Sequence, residues 1–194
     1  MTAVDERGVA EFFEGFVPPD GLKVELLRGE IVMMPNPDLV HNLIVLLTQR
    51  QIPLHRWYPL QTQDVDIVDE ASEPVPDLVV VAPEVLPPSG RLLPASLVTM
   101  VVEVVSKTSV ERDYSVKRSI YAAAGIPVYL IIDPIMAQCV LLEKPTGEGE
   151  RADYKRQSKH QFGETLTPEA LGIEIDTSGF GTLPDVKPRR FPLL

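Results

Sequence analysis

The sequence predicts an α/β fold with a mixed central sheet flanked by helices, an N-terminal hairpin and an outer C-terminal meander. Three observations carry this. Residues 98–133, VTMVVEVVSKTSVERDYSVKRSIYAAAGIPVYLIID, read as strand, crossover helix, strand, because the first run is β-branched and too short to span a membrane. KVELLRGEIVMMP at 23–35 sets two apolar-rich runs around Arg28-Gly29, a hairpin signal. QCVLLEK and ADYKRQ, joined by the Gly-rich TGEGER, read as two strands of a meander.

The remaining elements follow in order. Residues 3–16 form an amphipathic helix with Val9, Phe12, Phe13 and Phe16 on one side, closed by Pro18 and Pro19. In the hairpin, alternation places Glu25 with Lys23 and Leu27, opposite Val24 and Leu26. Asp38 caps a helix over 39–51 whose stripe is Val40, Leu43, Ile44 and Leu47. His41, in its first turn, reads as a surface or hydrogen-bonding residue. Trp57 and Tyr58 anchor the junction to a strand over 61–68, followed by an acidic turn and a buried strand at 77–81. Asp64, Asp66 and Asp69 share one solvated strand face. Residues 83–96 are a proline-rich connection, and Thr167-Pro168 starts a short helix ending at Gly172.

A chain of 194 residues with 44% hydrophobic content suffices for one core. The expected organisation is a single domain over 1–194: helix and linker at 1–20, core at 22–176, and a surface tail at 177–194 that carries KPRR at 187–190. The N-terminus has no apolar signal-like region and no run reaches membrane-spanning length, so a soluble, cytoplasmic protein is expected. The single Cys139 fits a reducing compartment as an inert packed thiol. A net charge of −10 argues against a surface broadly built for nucleic acid and leaves room for a local basic groove.

Three carboxylates lie on candidate strands: Glu25, Asp77 and Glu103. Such a convergence suits Mg²⁺, which takes carboxylate oxygens and keeps several waters. Asp113, Lys117 and Tyr121 are spaced by four and share one helical face, where Lys117 can lean over the preceding strand. Each residue has a plainer reading. Glu25 can be an exposed hairpin carboxylate, Asp77 a turn residue after Pro76, and Asp113 with Lys117 a helix-surface pair worth a few tenths of a kcal/mol. Glu103 has none as easy, since Val101, Val102, Val104 and Val105 crowd it on both sides.

These stretches resemble the Uma-type restriction endonuclease family within the PD-(D/E)XK nuclease superfamily. The matching segments are VELLRGEIVMMPNPDLVH at 24–41, VPDLVVV at 75–81 and VVEVVSKTSVERDYSVKRSIYAAAGIPVYLIIDP at 101–134. The resemblance implies a restriction-endonuclease-like core with Asp77 and Glu103 holding the metal and Glu25 helping to bind or orient it. The superfamily's usual lysine falls on Val105, and the family resemblance places it at Lys117. Lys107, where the family more often has proline, is a second choice in a loop.

What the resemblance implies is Mg²⁺-dependent hydrolysis of DNA phosphodiester bonds, with Mn²⁺ able to substitute. Lys117 would orient water or neutralise charge on phosphate. Two other readings stand beside it: a non-catalytic nucleic-acid or protein binding module, and a structural oligomeric protein. A homodimer is expected because two-fold dimers are the commonest assemblies.

Overall fold

The computed structural model describes residues 20–182 together with positions 9, 13 and 15–17. The helix expected over 3–16 and the KPRR run therefore lie, wholly or largely, outside the described residues. The hairpin comes first, with β1 (Leu22–Leu27) antiparallel to β2 (Glu30–Pro35). Arg28 and Gly29 both take positive φ at its turn, a conformation that glycine reaches without steric cost.

Helix α1 (Leu39–Gln49) follows, capped by the Asp38 side chain, which accepts from His41 N. Then come β3 (Tyr58–Gln61), β4 (Asp64–Asp66), β5 (Leu78–Val81), β6 (Leu92–Pro94) and β7 (Val98–Val104). A π-helical turn over Arg112–Val116 runs directly into α2 (Lys117–Ala123), the crossover to β8 (Val128–Asp133). The outer meander is β9 (Gln138–Thr146) with β10 (Asp153–Gln161), and a short pair, β11 (Thr165–Leu166) with β12 (Ile175–Asp176), closes the described chain.

The central sheet has six strands in the order β10-β9-β8-β7-β5-β3. β7 and β8 are parallel and the other neighbours antiparallel, so the sheet is mixed, as expected. Strand alternation splits the core into two layers. Met100, Val102 and Val104 face the α1 side with Ile44 and Val45. Val101 and Val105 face the α2 side with Ile120 and Tyr121. Glu103 has the parity of the α2 layer, which is where a lysine on α2 can meet it.

Several local expectations change. On α1 the expected stripe packs inward at Ile44 and, half-buried, at Val40 and Leu47, but Leu43 is exposed and His41, Val45 and Thr48 are buried instead. The strand expected at 61–68 divides into the end of β3 and the short β4, and Asp69 lies in a 3₁₀ turn over Val68–Glu70, off the face shared by Asp64 and Asp66. Trp57 anchors its junction through Nε1 to Leu171 O, but Tyr58 is exposed. Residues 168–172 make a hydrogen-bonded turn without a helix. The tail begins inside the fold: Thr177 is buried and bonded to Glu164 O, and Phe180 packs edge-on against Phe162.

Candidate active site

Three segments converge at one end of β7. The antiparallel register pairs Leu78 with Val102, so Asp77, one residue earlier, falls beside Glu103. Asp77 Oδ2 accepts from Val104 N at 2.7 Å, which ties the carboxylate to the end of β7. The hairpin is strapped to the segment before β5 by reciprocal backbone bonds between Leu26 and Glu73. Glu25 Oε1 extends that strap by accepting from Val75 N at 2.9 Å. The strap brings the Glu25 and Lys23 side chains over Asp77.

Lys117 closes the cluster from α2. Its ammonium donates to Glu103 Oε1 at 2.8 Å and to Glu25 Oε1 at 2.9 Å. Tyr121, one turn on, donates to the same Glu103 oxygen at 2.7 Å. Glu25 is 0% exposed and Lys117 2%, so neither the hairpin-surface reading of Glu25 nor the helix-surface reading of Lys117 holds. Asp113 forms no ion pair with Lys117 among the described residues. It is buried and accepts from Ser109 Oγ.

Two further residues belong to the cluster. His41 Nε2 lies 2.9 Å from Asp77 Oδ2, and Lys23 Nζ lies 3.5 Å from Asp77 Oδ1 and 3.6 Å from Glu25 Oε1. Strand alternation had already put Lys23 on the Glu25 face. For His41 the only sequence signal was a histidine among apolar helix positions. Lys107, the second-choice cation, is exposed and forms none of the contacts of this cluster.

The electrostatics follow from burial set against these pairs. Burial alone would raise the Asp77 carboxyl, but Lys23, His41 and the Val104 N–H hold it below the ordinary carboxylate range. Glu25 behaves alike: Lys117 and Lys23 outweigh its burial and lower it. For Glu103 burial prevails over Lys117 and the group is pushed up. Burial also carries Asp113 up to about 8. Burial opposes the Lys117 charge, and Glu103, Glu25 and Asp113 more than restore it.

The oxygens of the cluster are the hard donors a divalent ion would take. Glu25 Oε2 is buried without a hydrogen-bond partner. Among the described residues both donors to Glu103 converge on Oε1, and Asp77 Oδ1 meets the Lys23 ammonium. Among the described residues no three His, Cys, Asp or Glu side chains are grouped to enclose a metal. An ion held here would take one or two carboxylates and keep most of its waters. A surface cavity of about 650 Å³ lined by Glu143, Arg156 and Glu169 shares no residue with this cluster.

A family model described as "Putative restriction endonuclease", Uma2, matches residues 10–178. The chain belongs to the Uma2 family. Among solved structures, it resembles one described as a putative nuclease belonging to DUF820 from Anabaena variabilis. The match has a TM-score of 0.66 and 13% identity, and covers 84% of this chain and 90% of that one. At that identity the likeness is one of fold, and it agrees with the restriction-endonuclease-like core expected for a Uma2 chain. A search of curated proteins returned no match. Among the described residues no helix is long and apolar enough to cross a membrane.

Proposed function

We propose that this Uma2 chain is an endonuclease that hydrolyses DNA phosphodiester bonds with Mg²⁺, for which Mn²⁺ can substitute. The observation that carries the reading is the placement of Asp77 beside Glu103 on neighbouring strands, with Lys117 locked against Glu103. Asp77 and Glu103 would hold the ion, with Glu25 Oε2 as a further oxygen. The ion, when bound, supplies Lewis acidity toward phosphate and eases ionisation of water.

The protein groups prepare that chemistry. Lys23 and His41 keep Asp77 ionised near neutral pH. His41 and Val104 N occupy Oδ2 and so turn Oδ1 toward the site. Lys117 assists by clamping Glu25 and Glu103 through one ammonium, which fixes their spacing. Asp113, pushed up to about 8, is largely protonated near neutral pH and adds little negative charge to the cluster. The protein would act as a homodimer in the cytoplasm.

One observation favours a second reading. Lys23 and Lys117 already balance much of the carboxylate charge, as they would in a non-catalytic binding module or a structural oligomeric protein. Incubation with supercoiled plasmid and Mg²⁺ or Mn²⁺ separates them. Nicking by the wild type that is lost in folded Asp77→Ala and Lys117→Ala supports the nuclease. Nicking that survives Asp77→Ala, or no nicking by the wild type, overturns it.

A further inference from the structure

The two lysines of the cluster differ in what their ammonium groups are free to do. Lys117 Nζ donates to Glu25 Oε1 and Glu103 Oε1 at hydrogen-bond length, and its side chain is 2% exposed. Moving it onto a substrate would leave two buried carboxylates without their cation, which is strongly unfavourable. Lys23 is held only by ion pairs of 3.5 Å to Asp77 Oδ1 and 3.6 Å to Glu25 Oε1, and its side chain is 20% exposed. Asp77 and His41 beside it are each 10% exposed in the side chain, so Lys23 is the most exposed residue of the cluster.

On the nuclease reading, we infer that Lys23 is the cation that meets the phosphate backbone of the nucleic acid and that Lys117 positions the carboxylates. Lys23 already stands beside Asp77 Oδ1, the oxygen of that carboxylate left free by His41 and Val104. A phosphate oxygen brought to Asp77 by a divalent ion would therefore arrive within reach of the Lys23 ammonium. Its flexible stem allows the charge to follow the phosphate, and at 3.5 and 3.6 Å its ion pairs are longer than the hydrogen bonds that hold Lys117. In a chain of net charge −10 such a local cation matters for docking a polyanion.

The test uses the full chain and a short labelled DNA duplex, with Ca²⁺ in place of Mg²⁺ so that binding is read without turnover. Lys23→Ala is expected to weaken binding on the order of tenfold and to reduce the slope of log affinity against log salt by about one. Lys23→Arg is expected to keep the slope and the wild-type melting temperature within a few degrees, and Lys23→Ala to remain folded at the binding temperature. If wild type binds and Lys23→Ala binds equally with the same slope, the role of Lys23 is overturned while the nuclease reading stands. If wild type itself binds no duplex with any divalent ion, both fall. A Lys23→Ala protein that melts far below wild type, with Lys23→Arg also failing to bind, would make Lys23 structural and overturn its assignment.

Discussion

The Lys117 ammonium stands 2.8 Å from Glu103 Oε1, a buried contact between residues 14 positions apart. It depends on the parity of β7, which turns Glu103 to the α2 side, and on the π-helical turn that leads into Lys117. The contact also reaches outside the crossover, because the same ammonium holds Glu25 of the hairpin. One cation thus ties the hairpin, the central strand and the crossover helix together.

Removing that cation should cost far more than a surface ion pair. Lys117→Met takes the hydrogen-bonded cation from both buried carboxylates, leaving Glu25 the longer Lys23 pair and Glu103 the Tyr121 hydroxyl, and a loss of about 3–5 kcal/mol is expected by chemical denaturation. Adding Glu103→Gln to that variant should recover part of the loss. A single-variant loss under about 1 kcal/mol would show the ammonium to be dispensable, as at exposed sites.

Asp113 should make stability depend on pH. An Asp titrates near 3.9 in an unfolded chain, whereas burial carries Asp113 up to about 8 in the fold. Between those values the folded state holds the extra proton, so this group's contribution favours folding in acid and is lost as pH rises to about 8. Asp113→Asn lacks this titration. Its stability relative to wild type should rise from about pH 4 to about pH 8 and level off above; parallel melting curves across that range would contradict the assignment.

A divalent ion should stabilise the fold through Asp77 and Glu103. Mg²⁺ or Mn²⁺ at a hundredfold excess over its dissociation constant would add about 2.7 kcal/mol. Asp77→Asn and Glu103→Gln should each abolish the shift in melting temperature. In wild type the response should weaken in acid, with Glu103 protonating before Asp77, since burial raises the former while Lys23 and His41 lower the latter. A shift that persists in both variants would place the ion elsewhere.

The strand–crossover–strand core was legible because its runs are long, β-branched and separated by a helical stretch. Glu103 stood out because four valines flank it, and Asp77 because it opens a valine run after Pro76. What sequence periodicity does not carry is the partner of a polar residue 36 or 92 positions away, as for His41 with Asp77 or Lys117 with Glu25. The π-helical turn has no distinctive composition in RDYSV, and Asp113 looked like a surface charge because its helical spacing to Lys117 suits a solvent-exposed pair.

Helix α1 shows how polar residues share a buried apolar face. Of the expected stripe, Ile44 is buried and Val40 and Leu47 pack half-buried against the same core, while Leu43 is exposed and His41, Val45 and Thr48 join the buried face. His41 must face the sheet to reach Asp77, and Thr48 satisfies its hydroxyl by donating to Ile44 O. Leu43 is 46% exposed and Ile44 fully buried. Ile44→Ala is expected to cost about 2–5 kcal/mol, and Leu43→Ala within about 0.5 kcal/mol, by denaturant titration of each. Equal losses at the two positions would mean that Leu43 also packs against the core, and that the His41–Asp77 contact does not set the orientation of the helix.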